Sequence, residues 1–417
     1  MKRSNAVVVA LAFIAFVSLG LPDGLLGVAW PGIRRDFGLP LDALGVFLVA
    51  STTGYMLSSF LSGALIRTMG VGGLLAASCA ATGTALAMFT FAPVWPVFVA
   101  FGSLAGLGAG AIDAGLNNYI DRNHGRKLMQ WLHASFGVGI TLGPLIMTAG
   151  LGLTGAWEPG YRLVAGAQLS LALAFLLTRR RWHPAPEDRV RPEDRARPED
   201  RGPEENHGTQ ESRRVSIAAD TEATLVGSIR NPASLLSMLL FFVYTGAELG
   251  FGLWIYTLLT EGRGVAPAAA GLVASGYWAS FTLGRVIAGF GGERFSPLRL
   301  IAGSLLLALG GVVVVALDFG PVITVVGVAV TGIAVAPVFP ALLSDTRNRV
   351  SENHISNTIG MQIAAAGLGA AALPSLVGVA ARVLGLEAIP VSIVGVLALL
   401  LLLSLLSHRH ANRTAAG

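Results

Sequence analysis

The sequence predicts an all-α integral membrane protein of twelve transmembrane helices arranged as two pseudo-symmetric six-helix bundles. Three observations carry this. Only 13% of the 417 residues are charged and 53% are hydrophobic, whereas about a quarter of a soluble domain is charged. Twelve stretches stay apolar over the roughly 20 residues that a helix needs to cross about 30 Å of hydrocarbon. One strongly polar segment, 179–232, divides them six and six.

In chain order the spans are 6–30, 43–66, 71–92, 95–120, 129–153 and 161–178, then 233–259, 268–290, 299–318, 321–343, 356–381 and 389–407. Lys2 and Arg3 before the first run resemble the start of a signal peptide. That run is too long for one, lacks a clear small-residue cleavage site and is followed by eleven more. Lys and Arg are retained on the cytoplasmic side. With both termini inside, short inner segments hold twelve cations against five outside, Arg34, Arg35, Arg162, Arg263 and Arg382.

Segment 179–232 repeats Pro-Glu-Asp-Arg from Pro186, Pro192 and Pro198 and carries 11 acids and 11 arginines. Too little apolar area is available there to offset ordering entropy, so it reads as a disordered cytoplasmic linker. The organisation expected is a bundle over 1–178, the linker, a bundle over 233–407 and a cytoplasmic tail over 408–417.

The bundles repeat one another. Gly63 to Gly70 aligns with Gly289 to Ser296 at an offset of 226, Gly137, Gly139 and Pro144 with Gly367, Gly369 and Pro374 at 230, and Asp23 with Glu248 at 225. Internal repeats of this kind are expected of secondary transporters, whose solute site lies between the halves near the bilayer midplane. Other classes recede. Cys79 is the one cysteine, too few for a disulfide or thiolate metal site. Neither lysine, Lys2 nor Lys127, follows a glycine, so no P-loop is present. No metal-ligand cluster or nucleophile-base pair stands out, so the chain reads as no enzyme, without cofactor or metal.

Thirteen acids lie outside the linker, and three fall well inside spans: Asp23, Asp113 and Glu248. A charge at that depth costs about 2.5–3.5 kcal/mol even on lenient insertion scales. A carboxyl group in such surroundings can take a proton from one side of a membrane and release it to the other. The three are therefore the expected proton-coupling residues. The bland alternatives are hydrogen bonds that fix helix packing, or a pairing with Arg285 in span 8. Acids of loop 10–11, such as Asp345, are expected at the surface.

Asn117 lies one helical turn beyond Asp113 and Asn118 one step further round. Carboxamides donate and accept at once, which suits vicinal hydroxyls. His133, near the start of span 5, would relay protons or bind solute, or is capped by a neighbour. Tyr244 shares a face with Glu248, Trp278 shares a stripe with Arg285, and Gln362 lies in span 11. These six, Asn117, Asn118, His133, Tyr244, Trp278 and Gln362, form the expected substrate set. Ser51, Tyr55, Ser58 and Ser62 make a stripe that either lines the path or packs helices.

Segment Gly63-Ala-Leu-Ile-Arg67-Thr-Met-Gly70 resembles the loop 2–3 signature of the major facilitator superfamily, with Arg67 where that family has an acid. Glu293 and Arg294 fill the equivalent positions in the second half. The resemblance spans nearly the whole chain and implies a conformational latch at Gly63, Arg67, Gly70, Glu293 and Arg294. The early Asp23, the acid-then-carboxamide run of span 4, and Leu132-His133-Ala134 with Gly143-Pro144 in span 5 are similar to the fucose-permease group of sugar/proton symporters. That likeness implies functional acids at Asp23 and Asp113 and a sugar contact at Asn117. Span 4 departs from it by an Asp for Glu and by Asn117-Asn118 for Asn-Pro.

The expected function is proton-coupled transport of a small polar solute, a sugar or derivative, by a monomer in the cell membrane with both termini cytoplasmic. Its partners are solute, protons and lipid, with no nucleic acid and no ATPase subunit. A proton-driven exporter of hydrophobic compounds is the competing expectation, and a non-transporting receptor a more distant one.

Overall fold

The computed structural model of the chain describes residues 3–124, 126–182, 223–291 and 296–416, with backbone alone at 3–5, 126–127, 290–291 and 409–416. Among the described residues every regular element is helical. Ten stretches are long and apolar enough to cross a membrane. One of them, Leu41–Phe89, is 49 residues long and makes two passes, and helix Pro267–Gly291, which carries Arg285, completes twelve.

Span 1 is helix Arg3–Asp36. Spans 2 and 3 form the run Leu44–Phe89, broken at Gly70, whose φ of 73° and ψ of 166° suit a residue without Cβ. Spans 4, 5 and 6 are Trp95–His124, Arg126–Thr154 and Glu158–Thr178. Spans 7, 8 and 9 are Pro232–Thr257, Pro267–Gly291 and Pro297–Leu317. Span 10 is Pro321–Val335 and continues past Pro337 as Val338–Ser344, and spans 11 and 12 are Ile355–Leu384 and Ala388–Ala416. Proline in the first turn of spans 6, 7, 9 and 10 starts each helix where its missing N–H costs nothing. Asn231 adds a side-chain cap, its Oδ1 accepting from the amides of Ala233 and Ser234.

An even number of passes puts both termini on one face, called the terminal face here, and the other is the far face. The halves share one packing plan. Span 1 packs on span 5 and span 7 on span 11. The closest approaches match: a Cβ on Gly139 would strike the Val17 carbonyl, and one on Gly369 the Phe242 carbonyl. These pairs are separated by 230 and 225 positions, the offsets read in the sequence.

The polar segment is narrower than expected at both edges. Residues Arg179–Arg181 form a 3-10 turn held by Trp182, which is buried against Tyr119 and Phe175 and donates to Thr178 Oγ1 at 3.3 Å. At the other edge, helix Leu225–Arg230 docks on the loop before span 11. Ser228 Oγ lies 2.9 Å from His354 Nδ1, and Asn357 donates to the Ala223 carbonyl at 2.7 Å. Residues 183–222 lie outside the described residues.

Asp345 is not a surface group. It is 4% exposed and pairs at 3.1 Å with Arg349, itself 7% exposed. The cause is packing just past span 10: helix Thr346–Arg349 lies against spans 7, 11 and 12, which covers the two charges, one turn apart. Arg349 also donates to the Leu342 carbonyl at 2.6 Å. Burial pulls its pKa below the usual guanidinium range, and Asp345 opposes that shift.

Candidate functional site

The halves meet closely on one side only. Span 5 packs on span 8, span 2 on span 11 and span 1 on span 7. At the far face Arg34 pairs with Glu261 at 2.6 Å and Asp42 with Arg382 at 3.3 Å, each pair joining one half to the other. Deeper in, Ser275 donates to the Thr141 carbonyl at 2.7 Å. The innermost glycine approaches between halves are Gly137 on Thr282 and Gly367 on Met56. One buried apolar core, including Leu25, Trp30, Tyr244 and Trp254, joins the two halves. Toward the terminal face the first half keeps a separate core of Phe16, Ile112, Leu132 and Phe175. The interface is thus sealed at the far face and parts toward the terminal face.

Polar groups gather where it parts. Span 4 presents Asp113, half-buried, with both carboxylate oxygens engaged. Tyr55 of span 2 donates its hydroxyl to Oδ2 at 2.5 Å, and Asn117 donates Nδ2 to Oδ1 at 3.0 Å, as the one-turn spacing predicts. Asn117 Oδ1 is buried without a partner. Asn118 is half-buried beside it, and Asp23 is exposed on span 1.

Across the interface, His133 and Arg285 each lie about one turn on the terminal side of the Gly137–Thr282 contact. His133 is exposed, its ring edge-on to Phe16 at 5.6 Å, and interacts electrostatically with both Asp113 and Arg285. The Arg285 guanidinium stacks on Phe281 at 4.4 Å and lies 3.9 Å from the Glu248 carboxylate. A chain of polar groups, Tyr55, Asp113, His133, Arg285 and Glu248, therefore crosses from one half to the other.

Of the six residues expected to touch solute, Asn117, Asn118 and His133 reach this opening. Tyr244, Trp278 and Gln362 do not. Tyr244 is wholly buried and donates to the Val335 carbonyl at 2.9 Å. Trp278 is 4% exposed, wedged against Gly252 and Tyr277. Gln362 is wholly buried, donating to Ser237 Oγ at 2.5 Å and Thr346 Oγ1 at 2.9 Å, so its amide ties spans 7 and 11 to the short helix Thr346–Arg349. Tyr55 gives the sequence-level hydroxyl stripe its one direct link to an acid, and Arg285 belongs to the site as well as to Glu248. Of the latch residues, Gly63 and Arg67 are exposed and Gly70 makes the bend between spans 2 and 3. Glu293 and Arg294 lie outside the described residues.

A profile of the Major Facilitator Superfamily matches residues 12–266. Two relatives span most of the chain. Bypass of stop codon protein 6 of Saccharomyces cerevisiae is 25% identical over 92% of this chain and 78% of its own length. Sodium-dependent glucose transporter 1 of Homo sapiens is 24% identical over 88% of this chain and 72% of its own length. Among solved structures, a D-xylose-proton symporter superposes with a TM-score of 0.71 at 14% identity, covering 94% of this chain and 96% of that one.

Proposed function

We propose, from the premise that this chain belongs to the Major Facilitator Superfamily and is a transporter rather than an enzyme, that it moves a small polar solute, a sugar or sugar derivative, together with protons. The observation that carries the reading is Asp113: an intramembrane carboxylate at the parting of the two halves, held by Tyr55 and Asn117 and in electrostatic contact with His133. Protonation removes a charge from the interface and favours its closure on the terminal side; deprotonation favours reopening. Asp23 and Glu248 are the further proton carriers in this reading. Asn117, Asn118 and His133 provide donors and acceptors for hydroxyls, in keeping with relatives and structural neighbours whose names specify glucose and D-xylose.

With the terminal face cytoplasmic, as the distribution of cations favours, this reading makes the chain an inward-open monomer in the cell membrane. The polar lining favours this reading over export of hydrophobic compounds. The decisive experiment is uptake into proteoliposomes under an imposed pH gradient, with sodium replaced by choline in a parallel arm because the human relative's name specifies sodium. Asp113→Asn should abolish gradient-driven accumulation and spare counterflow. Undiminished accumulation by the variant refutes proton coupling at Asp113, and accumulation that needs sodium and ignores the pH gradient replaces the proton as coupling ion.

A further inference from the structure

Arg285 is the one cation within the spans' polar chain, and it is poorly satisfied. Among the described residues no hydrogen bond reaches its guanidinium, and its Nε is buried without a partner. Its nearest carboxylate oxygen, on Glu248, is 3.9 Å away, beyond the roughly 2.7–2.9 Å of a charge-assisted hydrogen bond. The side chain is 35% exposed, Phe281 backs its flat face, and its free edge shares the interface with His133. The group is thus oriented by stacking, loosely neutralised by Glu248, and open to a ligand.

Resting on the reading above, we propose that Arg285 anchors a carboxylate of the solute. The solute is then a polyhydroxylated acid such as an aldonate or uronate, and its carboxylate displaces Glu248, which takes up a proton. The guanidinium fork matches the two oxygens of a carboxylate. A neutral sugar is the weaker ligand: its hydroxyls can accept from the guanidinium, but if it displaced Glu248 the cation would lose its counter-ion, and if it did not it would add no charge pairing. A phosphate ester brings a second negative charge that one guanidinium cannot balance opposite Asp113 and Asp23. Once displaced, Glu248 is left 8% exposed among Tyr244 and Tyr277 of its own half, beside a bound anion and without its ion pair to Arg285. Protonation is the balanced outcome: one carboxylate arrives at Arg285, and one proton arrives at the carboxylate that left it. At the other end, the unpartnered Asn117 Oδ1 accepts from a solute hydroxyl, which orients the chain of hydroxyls from span 8 toward span 4.

The test is binding to the purified full-length protein in detergent by calorimetry, with gluconate, glucuronate, glucose and glucose 6-phosphate as probes, in buffers of differing ionisation enthalpy so that proton uptake is read directly. At least one of the two acids should bind about tenfold or more tightly than glucose or the phosphate ester, with net proton uptake. Glu248→Gln should keep the acid's affinity and lose the uptake. Arg285→Gln should lose acid binding, and Arg285→Lys should weaken it, each checked by thermal unfolding; where Arg285→Gln does not fold, Arg285→Lys and the wild-type panel decide. The proposal is overturned if glucose binds as tightly as the acids, if neither acid binds, or if Glu248→Gln still takes up the proton. Proton-coupled uptake of a neutral sugar would sink this inference and leave the broader function standing, whereas transport of lipophilic cations alone would remove both.

Discussion

Two ion pairs hold the far face shut, and their removal should shift the protein toward the far-open state. Arg34 Nη2 lies 2.6 Å from Glu261 Oε2 in a hydrogen-bonded pair whose side chains are 29% and 23% exposed. Arg382 Nε lies 3.3 Å from Asp42 Oδ1 with side chains 50% and 20% exposed. Exposed pairs contribute about 0.2–1 kcal/mol. The shorter, better shielded pair belongs at the top of that range, near 1 kcal/mol, and the longer near half of it. Glu261→Gln preserves shape and removes charge, so the ratio of far-closed to far-open molecules should fall about fivefold. Adding Arg382→Gln should bring the fall to about tenfold if the pairs act independently. Spin labels on Pro40 and Ala266, both exposed on either side of the seam, in a Cys79→Ala background, report the distance by pulsed electron resonance. The long-distance population should grow in the single variant and again in the double. A distance distribution unchanged in the double variant would refute the claim that these pairs hold the gate.

Two further outcomes follow from the packing. Gly139→Val and Gly369→Val each drive a side chain into a carbonyl of the neighbouring span, and should lower stability by about 1–3 kcal/mol, read as a loss of thermal midpoint in detergent. Arg349→Leu strands the buried Asp345 carboxylate and should cost about 3–5 kcal/mol, whereas the double change Asp345→Leu with Arg349→Leu should recover most of it; a double variant no better than the single would show that the pair itself, rather than the stranded charge, supplies the stability.

The membrane body was legible because its solvent is uniform: twelve apolar runs of bilayer length admit little besides twelve helices. The repeat was legible for a related reason. Gly139 and Gly369 are fixed by close backbone approach, and steric requirements of that kind leave the same residue type at the same offset. Side-chain direction was not legible to the same degree. Gln362 and Asn117 are both carboxamides inside spans, but Gln362 turns toward Ser237 and Thr346 and Asn117 toward Asp113; helical spacing predicts the second because donor and acceptor lie on one helix. Tyr55 and Asp113 lie 58 positions apart, and Asp345 was misplaced because hydropathy does not register a short helix, Thr346–Arg349, that packs on spans 7, 11 and 12. Where partners share a helix, spacing identifies them. Where they meet across helices, only the packing does.

The two halves share a scaffold and divide the chemistry. Asp23 and Glu248 occupy equivalent positions, but Asp23 is exposed while Glu248 is 8% exposed and has Arg285 as neighbour. At the offset of 226, Tyr55 corresponds to Phe281. The first donates a hydroxyl to Asp113 and the second offers its ring face to Arg285, so a single oxygen separates a residue that serves an acid from one that seats a cation. Arg285 in turn corresponds to Ser59, which spends its hydroxyl on the Gly110 carbonyl. The close backbone contacts recur in both halves, Gly139 on Val17 and Gly369 on Phe242. Charge does not recur: a site symmetric in charge would place like against like across the interface, whereas acids on one side facing an arginine on the other give the halves an attraction.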